Sequence, residues 1–162
     1  KWNPEFCGDI EMRITRNGEW SYMGSPIARR RLVKLFSSVL RRDEDGCFYL
    51  VTPVEKLRIE VDDAPLFAVE LLVHGEGKEQ VLEFRTKTDD RVLVDSAHPL
   101  FVVTDEESGQ PSPYVRVRGR LDALISRPVF YELVELAVKE EGGKANQLGV
   151  WSSGNFFVLG EV

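Results

Sequence analysis

Residues 27–40 and 125–138 lie over one another without a gap at an offset of 98, and this internal match narrows the folds open to the chain more than anything else in it. It pairs Ile27 with Ile125, Arg29 with Arg127, Leu32 with Phe130, Leu35 with Leu133, Phe36 with Val134 and Leu40 with Val138. Each segment has the apolar period of an amphipathic helix, follows a strand pair and precedes further strands. That shared order favours duplication over a chance alignment of two helices.

The strands are read from alternation. In residues 9–15, Ile10, Met12 and Ile14 alternate with Asp9, Glu11 and Arg13, the period of a half-buried strand. Asn17-Gly18 supplies a hairpin turn, and residues 19–22 form the return strand. Ser25 is then placed to cap a helix, with Pro26 in its first turn, running to about Arg42. Residues 47–52 and 57–61 read as two more strands separated by Pro53. A second series follows over residues 64–73, 81–86, 92–94, 100–104 and 114–118, all bounded by polar turns. Residues 126–141 read as a second helix closed by Gly142-Gly143, and strands at 150–151 and 156–159 end the chain. The expectation is an α+β protein of two related lobes, each a mostly antiparallel sheet with one main helix, divided into residues 1–62 and 63–162.

Charge restricts the partners. The chain carries 27 acidic and 21 basic side chains, a net of −6, which leaves no long-range field for nucleic acid or anionic lipid. Any anion must be held by a local cluster. No apolar run approaches the ~20 residues needed to span a bilayer. Cys7 and Cys47 are too few for a disulfide framework, so a reducing, cytoplasmic setting is expected. Because the chain begins at Lys1 rather than Met, a preceding segment or a removed signal peptide stays open.

The helical phase singles out two arginines. At about 100° per residue, Arg29 falls within the stripe of Leu32, Phe36 and Leu40, and Arg127 takes the same place among Phe130, Val134 and Val138. Both are therefore expected to be at least partly buried against a carboxylate, a carbonyl or a bound anion. A helix start after Gly24-Ser25-Pro26 beside such an arginine is an anion cradle in outline. Trp20 and Tyr22 share one strand face upstream, either as walls of an aromatic pocket or as core. Lys56, at a bend, reaches either a phosphate or solvent. Arg116 and Arg118 alternate with Val115 and Val117 on one strand face, the arrangement of a wet sheet surface or of a basic patch. Cys7, Cys47, His74 and His98 show no zinc-ligand spacing, and a Cys7–His98 thiol pair lacks local support.

Several short motifs, taken in order, resemble those of a bacterial family of uncharacterised proteins, domain-of-unknown-function family 1285. They are Pro4-Glu5-Phe6-Cys7-Gly8, Trp20-Ser21-Tyr22, Gly24-Ser25-Pro26-Ile27 with Arg29, and residues 50–56 ending in Lys56. In the second half they are His98-Pro99-Leu100, Pro113-Tyr114, Arg118 with Leu121, and Ala123-Leu124-Ile125-Ser126-Arg127. The resemblance implies a duplicated core whose C-terminal domain is superficially like a pleckstrin-homology fold. It also implies a nucleotide-like ligand at the domain interface and a role in signal transduction, with no established reaction. Carried over residue by residue, it nominates Arg29, Arg127, Tyr22, Lys56, Arg118 and His98 as interface candidates. The leading functional expectation is a non-enzymatic module holding a small anionic, nucleotide-like ligand between its halves, with a signalling protein as a further partner. The alternative is a protein–protein interaction module, and an unrecognised hydrolase or thiol enzyme ranks behind both.

Overall fold

A computed structural model describes residues 2–5, 7–139 and 146–161. Phe6 and the helix stop expected at Gly142-Gly143 lie outside the described residues. The N-terminal lobe runs β1 (Cys7–Ile14), β2 (Trp20–Tyr22), β3 (Ser25–Pro26), α1 (Arg30–Ser38), β4 (Leu40–Arg42), β5 (Phe48–Val51) and β6 (Lys56–Val61). The C-terminal lobe runs β7 (Leu66–His74), β8 (Val81–Thr86), β9 (Arg91–Leu93), β10 (Leu100–Thr104), β11 (Pro111–Arg118), β12 (Leu121–Ile125) and α2 (Arg127–Glu135). A three-stranded sheet of β13 (Val138–Lys139), β14 (Gln147–Ser152) and β15 (Asn155–Glu161) follows.

The duplication is real, and the sheets carry it. The first sheet is ordered β3-β2-β1-β6-β5-β4 and the second, from its other edge, β9-β8-β7-β12-β11-β10. In each, the first and last strands pair in parallel at the centre, Cys7 with Lys56 in one and Ala123 with Leu66 in the other. Antiparallel ribbons extend outward from both sides. A parallel pair needs a long crossover, and here the four intervening strands supply it. β7 begins 59 residues after β1 and β9 begins 66 after β3, with the other equivalent strands between these limits.

The helices are not equivalent, which corrects the match at 98. α1 sits in the crossover between the third and fourth strands, whereas α2 follows the sixth. The apolar period had run across element boundaries: Ile27 N–H donates to the Trp20 carbonyl at 2.8 Å, Leu40 belongs to β4, and Ile125 ends β12 opposite Ala68. Ser25 and Pro26 form β3 rather than a cap, and each helix is only nine residues long. A six-stranded sheet followed by a helix is what gives the C-terminal lobe its superficial pleckstrin-homology likeness.

One continuous core joins the lobes, from Ile14 and Trp20 through Phe84 and Val115 to Leu133 and Val150. Polar contacts close the seam around it. Asp63 takes Arg16 and the Tyr114 hydroxyl, the latter at 2.8 Å, and Arg16 also donates to Ser112 Oγ at 3.0 Å. Among the described residues, no helix is long and apolar enough to cross a membrane.

Candidate functional site

The two arginines singled out by helical phase are both exposed, so the expectation of burial is overturned. Arg29 occupies the N-cap position of α1 in extended conformation, one residue before the helix whose stripe it was assigned to, and its side chain bonds to no described residue. Arg127, the first residue of α2, donates among the described residues only to the Pro111 carbonyl, at 3.3 Å. At the start of α1 a space of about 430 Å³ between the lobes is lined by Pro26, Ile27, Arg30 and Arg85, and the cations beside it are already paired with a carboxylate of the protein. Asp89 of the C-terminal lobe takes Arg30 at 3.0 Å, Lys34, and Arg85 at 3.0 Å. These contacts, Lys34 foremost, hold the Asp89 carboxyl down at about 2.

The remaining candidates are dispersed. Trp20 is buried and stacks on Phe36 at 6.3 Å, while Tyr22 is half-exposed beside α1. Lys56 Nζ donates to Asp43 at 2.8 Å and lies 4.4 Å from the Tyr49 ring centre. His98 Nδ1 is 2.9 Å from Asp95, within a bend that Asp95 also caps through the backbone N–H of Ala97 and His98. Arg118 reaches Asp90 at 3.3 Å and the Ser37 carbonyl at 2.7 Å, and Arg116 pairs with Asp122 at 2.5 Å. Cys7 begins β1 of the N-terminal lobe, whereas His98 lies in the connection between β9 and β10 of the other lobe.

Only Arg118 of the six lines a second interlobe cleft, a cavity of about 610 Å³. From the N-terminal lobe this cleft takes β4 and the turn after it; from the C-terminal lobe it takes the hairpin joining β11 to β12. Arg41, Arg42 and Arg120 join Arg118 there, facing Asp43, Glu44 and Asp45. The arginines differ in what they have left to give. Arg41 is engaged by Asp43 at 2.6 and 3.2 Å and by the Trp2 carbonyl at 2.6 Å. That contact, ahead of Lys56, depresses the Asp43 carboxyl to about 2. Next to it, the Tyr49 hydroxyl donates to Asp45 at 2.5 Å, which pushes the phenol up to about 12.

Arg42 and Arg120 are the exceptions. The Arg42 guanidinium lies 5.4 Å from the Phe48 ring centre and hydrogen-bonds to no described residue. Arg120 approaches Glu44 only at 3.8 Å, beyond hydrogen-bond length. Both also line an adjoining hollow of about 220 Å³ walled by Phe48, Phe101 and Tyr114. Phe101 and Tyr114 stack there at 5.5 Å. One guanidinium from each lobe thus faces a shared space with no hydrogen bond to a described residue and with aromatic surface alongside. Sequence reasoning missed both. The available signals were Arg41-Arg42 before an acidic turn, and Arg118-Gly119-Arg120 at a tight hairpin whose Gly119 has φ +53°. Among the described residues, no group of three or more His, Cys, Asp or Glu side chains is placed to hold a metal ion.

Residues 1–64 match the family described as "Domain of unknown function (DUF1285), N-terminal domain", and residues 65–159 match "Protein of unknown function (DUF1285), C-terminal domain". The fold is similar to the crystal structure of a DUF1285 family protein from Silicibacter pomeroyi DSS-3. TM-score is 0.92 and identity 50%, over 99% of this chain and 85% of that one. A DUF1285 family protein from Shewanella baltica OS155 superposes with TM-score 0.58 and 27% identity, over 76% of this chain and 90% of that one. No curated protein matches the sequence. Its two halves matching the two domains of one family in order, the chain belongs to the DUF1285 family.

Proposed function

We propose that the chain is a binding module that holds a small phosphate-bearing, nucleotide-like ligand between its lobes and acts in signal transduction rather than catalysis. The observation behind this reading is the convergence of Arg42 and Arg120 on one cleft with no hydrogen bond to a described residue, beside the stacked Phe101–Tyr114 pair. A guanidinium fork suits a phosphate, and an aromatic wall suits a base. Arg118, already engaged across the seam, would position the hairpin that carries Arg120. A ligand bridging two lobes, taken as residues 1–62 and 63–162, would couple their relative arrangement to its own concentration. Cys7 and Cys47 are both free thiols, which fits a reducing cytoplasm.

The test is a thermal-shift and calorimetric screen with inorganic phosphate and a panel of nucleoside mono- and diphosphates. A ligand at 100 times its dissociation constant adds about 2.7 kcal/mol to stability. Binding by wild type that falls at least tenfold in Arg42→Ala and in Arg120→Ala supports the site. A flat panel, or unchanged affinity in both variants, refutes it. The second reading is a protein-interaction module, favoured by Leu35 and Tyr131, apolar helix residues that are 61% and 62% exposed. A flat nucleotide panel would shift the weight to that reading.

A further inference from the structure

Helix α1 rests on its sheet without sealing it. Of its nine residues only Ser37 is buried, whereas α2 buries Val129, Phe130 and Leu133. The space left under α1 is a cavity of about 480 Å³. That lies within the range of roughly 300–1,000 Å³ found for small-molecule sites. Its floor is Ile10 and Met12 of β1, Leu50 of β5 and Leu57 of β6, and Leu32, Phe36 and Val39 close it from above. Phe36 is held in place by its stacking on Trp20. Two of the lining side chains, Leu32 and Tyr22, are 37% and 47% exposed, so this hydrocarbon surface is open to a ligand from outside.

Only two of the eleven lining residues, Thr52 and Glu55, are not apolar or aromatic. The Thr52 hydroxyl is used locally, accepting from Glu55 N–H at 3.2 Å. That bond fixes the turn that presents Glu55. The Glu55 side chain is half-buried, and its carboxylate makes no hydrogen bond or ion pair with any described residue. At the edge of an apolar cavity this carboxylate keeps its acceptor positions open to a donor that enters from outside. The occupant that answers both features has a hydrocarbon body and one cationic, donor-rich end.

We propose that this cavity binds an amphiphilic amine, an alkyl or arylalkyl ammonium whose hydrocarbon lies against Met12, Leu57 and Phe36 and whose ammonium pairs with Glu55. The site shares no lining residue with the cleft of Arg42 and Arg120. It therefore stands or falls independently of that cleft.

Three probes of equal chain length separate the body of the ligand from its head: octylammonium, octanol and octanoate, each titrated below its aggregation limit. Methyl NMR of the intact protein should show saturable shifts at Met12, Leu32, Leu50 and Leu57, with affinity falling in the order octylammonium, octanol, octanoate. Glu55→Gln should weaken octylammonium by about three- to tenfold and leave octanol unchanged. Leu57→Trp, which fills the cavity, should abolish binding of all three, with undisturbed Leu82 and Leu133 methyls certifying the fold. If Leu57→Trp fails to fold, the Glu55→Gln comparison decides alone. Octanoate binding as tightly as octylammonium, an unaffected Glu55→Gln, shifts confined to other residues, or no saturable binding would each overturn the proposal.

Discussion

Arg118 of the C-terminal lobe donates from Nη2 to the backbone carbonyl of Ser37, the penultimate residue of α1, at 2.7 Å. The same carbonyl accepts a backbone N–H at the helix C-cap, so the guanidinium from the other lobe adds a second, charged donor at this helix end. Its Nε reaches Asp90 from the same position. Arg118→Ala leaves a carbonyl and a carboxylate without this donor and should lower unfolding free energy by about 1–3 kcal/mol. The reading is a fall in urea midpoint at unchanged slope.

The hydroxyl of Ser37 is the opposite case. It is buried, with the residue 2% exposed, and bonds to no described atom. Ser37→Ala removes a desolvated polar group while keeping the shape, so it should be neutral or stabilising by up to about 1 kcal/mol. A thermal midpoint clearly below wild type would show that the hydroxyl has a partner after all.

Acid should weaken the protein in a defined window. Asp43, held chiefly by Arg41, and Asp89, held chiefly by Lys34, both have carboxyls lowered to about 2 from an ordinary 3.8. The native state therefore binds fewer protons than the unfolded chain as pH falls toward 2. The stability these pairs contribute is complete above about pH 4 and is lost as pH falls through about 2. Urea midpoints across this range should drop for wild type and drop less steeply for Asp89→Asn. Equal slopes would mean that Asp89 keeps its ordinary pKa.

Two glycines separate backbone strain from crowding. Gly18 and Gly24 have φ of +78° and +83°, a region that costs other residues about 1–2 kcal/mol. A Cβ on Gly24 meets nothing within 4 Å, but one on Gly18 would lie 2.7 Å from Cβ of Phe67 across the lobe seam. Gly18→Ala should therefore cost about 1–3 kcal/mol more than Gly24→Ala. Similar denaturation midpoints for the two variants would place the Asn17-Gly18 turn farther from Phe67.

Arg29→Ala and Arg127→Ala should each change stability by no more than about 0.5 kcal/mol, as exposed residues without strong partners do. A loss of 2 kcal/mol or more in either would restore the buried, paired role that helical phase had suggested.

Much of the secondary structure was legible because alternation and turn chemistry are local. Residues 9–15, Asn17-Gly18 and the run at 81–86 declare themselves within a few positions, and β1, its turn and β8 stand there. Helical phase was less secure, because an apolar period continues through a ribbon end at Ile27 and a strand at Leu40 as readily as through a helix. β12 was hidden for the same reason: Ile125 had been assigned to the helix, and buried strands need not alternate.

The local pattern of this chain, and the motifs that resemble its family, are written in the sequence, since each depends on neighbours only a few residues apart. Which strands meet is a tertiary matter. Cys7 pairs beside Lys56, the repeat runs at 59 to 66 residues rather than 98, and Arg42 and Arg120 share a cleft although 78 positions separate them. No periodicity encodes such distances. They are set when both sheets bury their inner faces in one common core, and only that packing brings the two guanidinium groups to the same space.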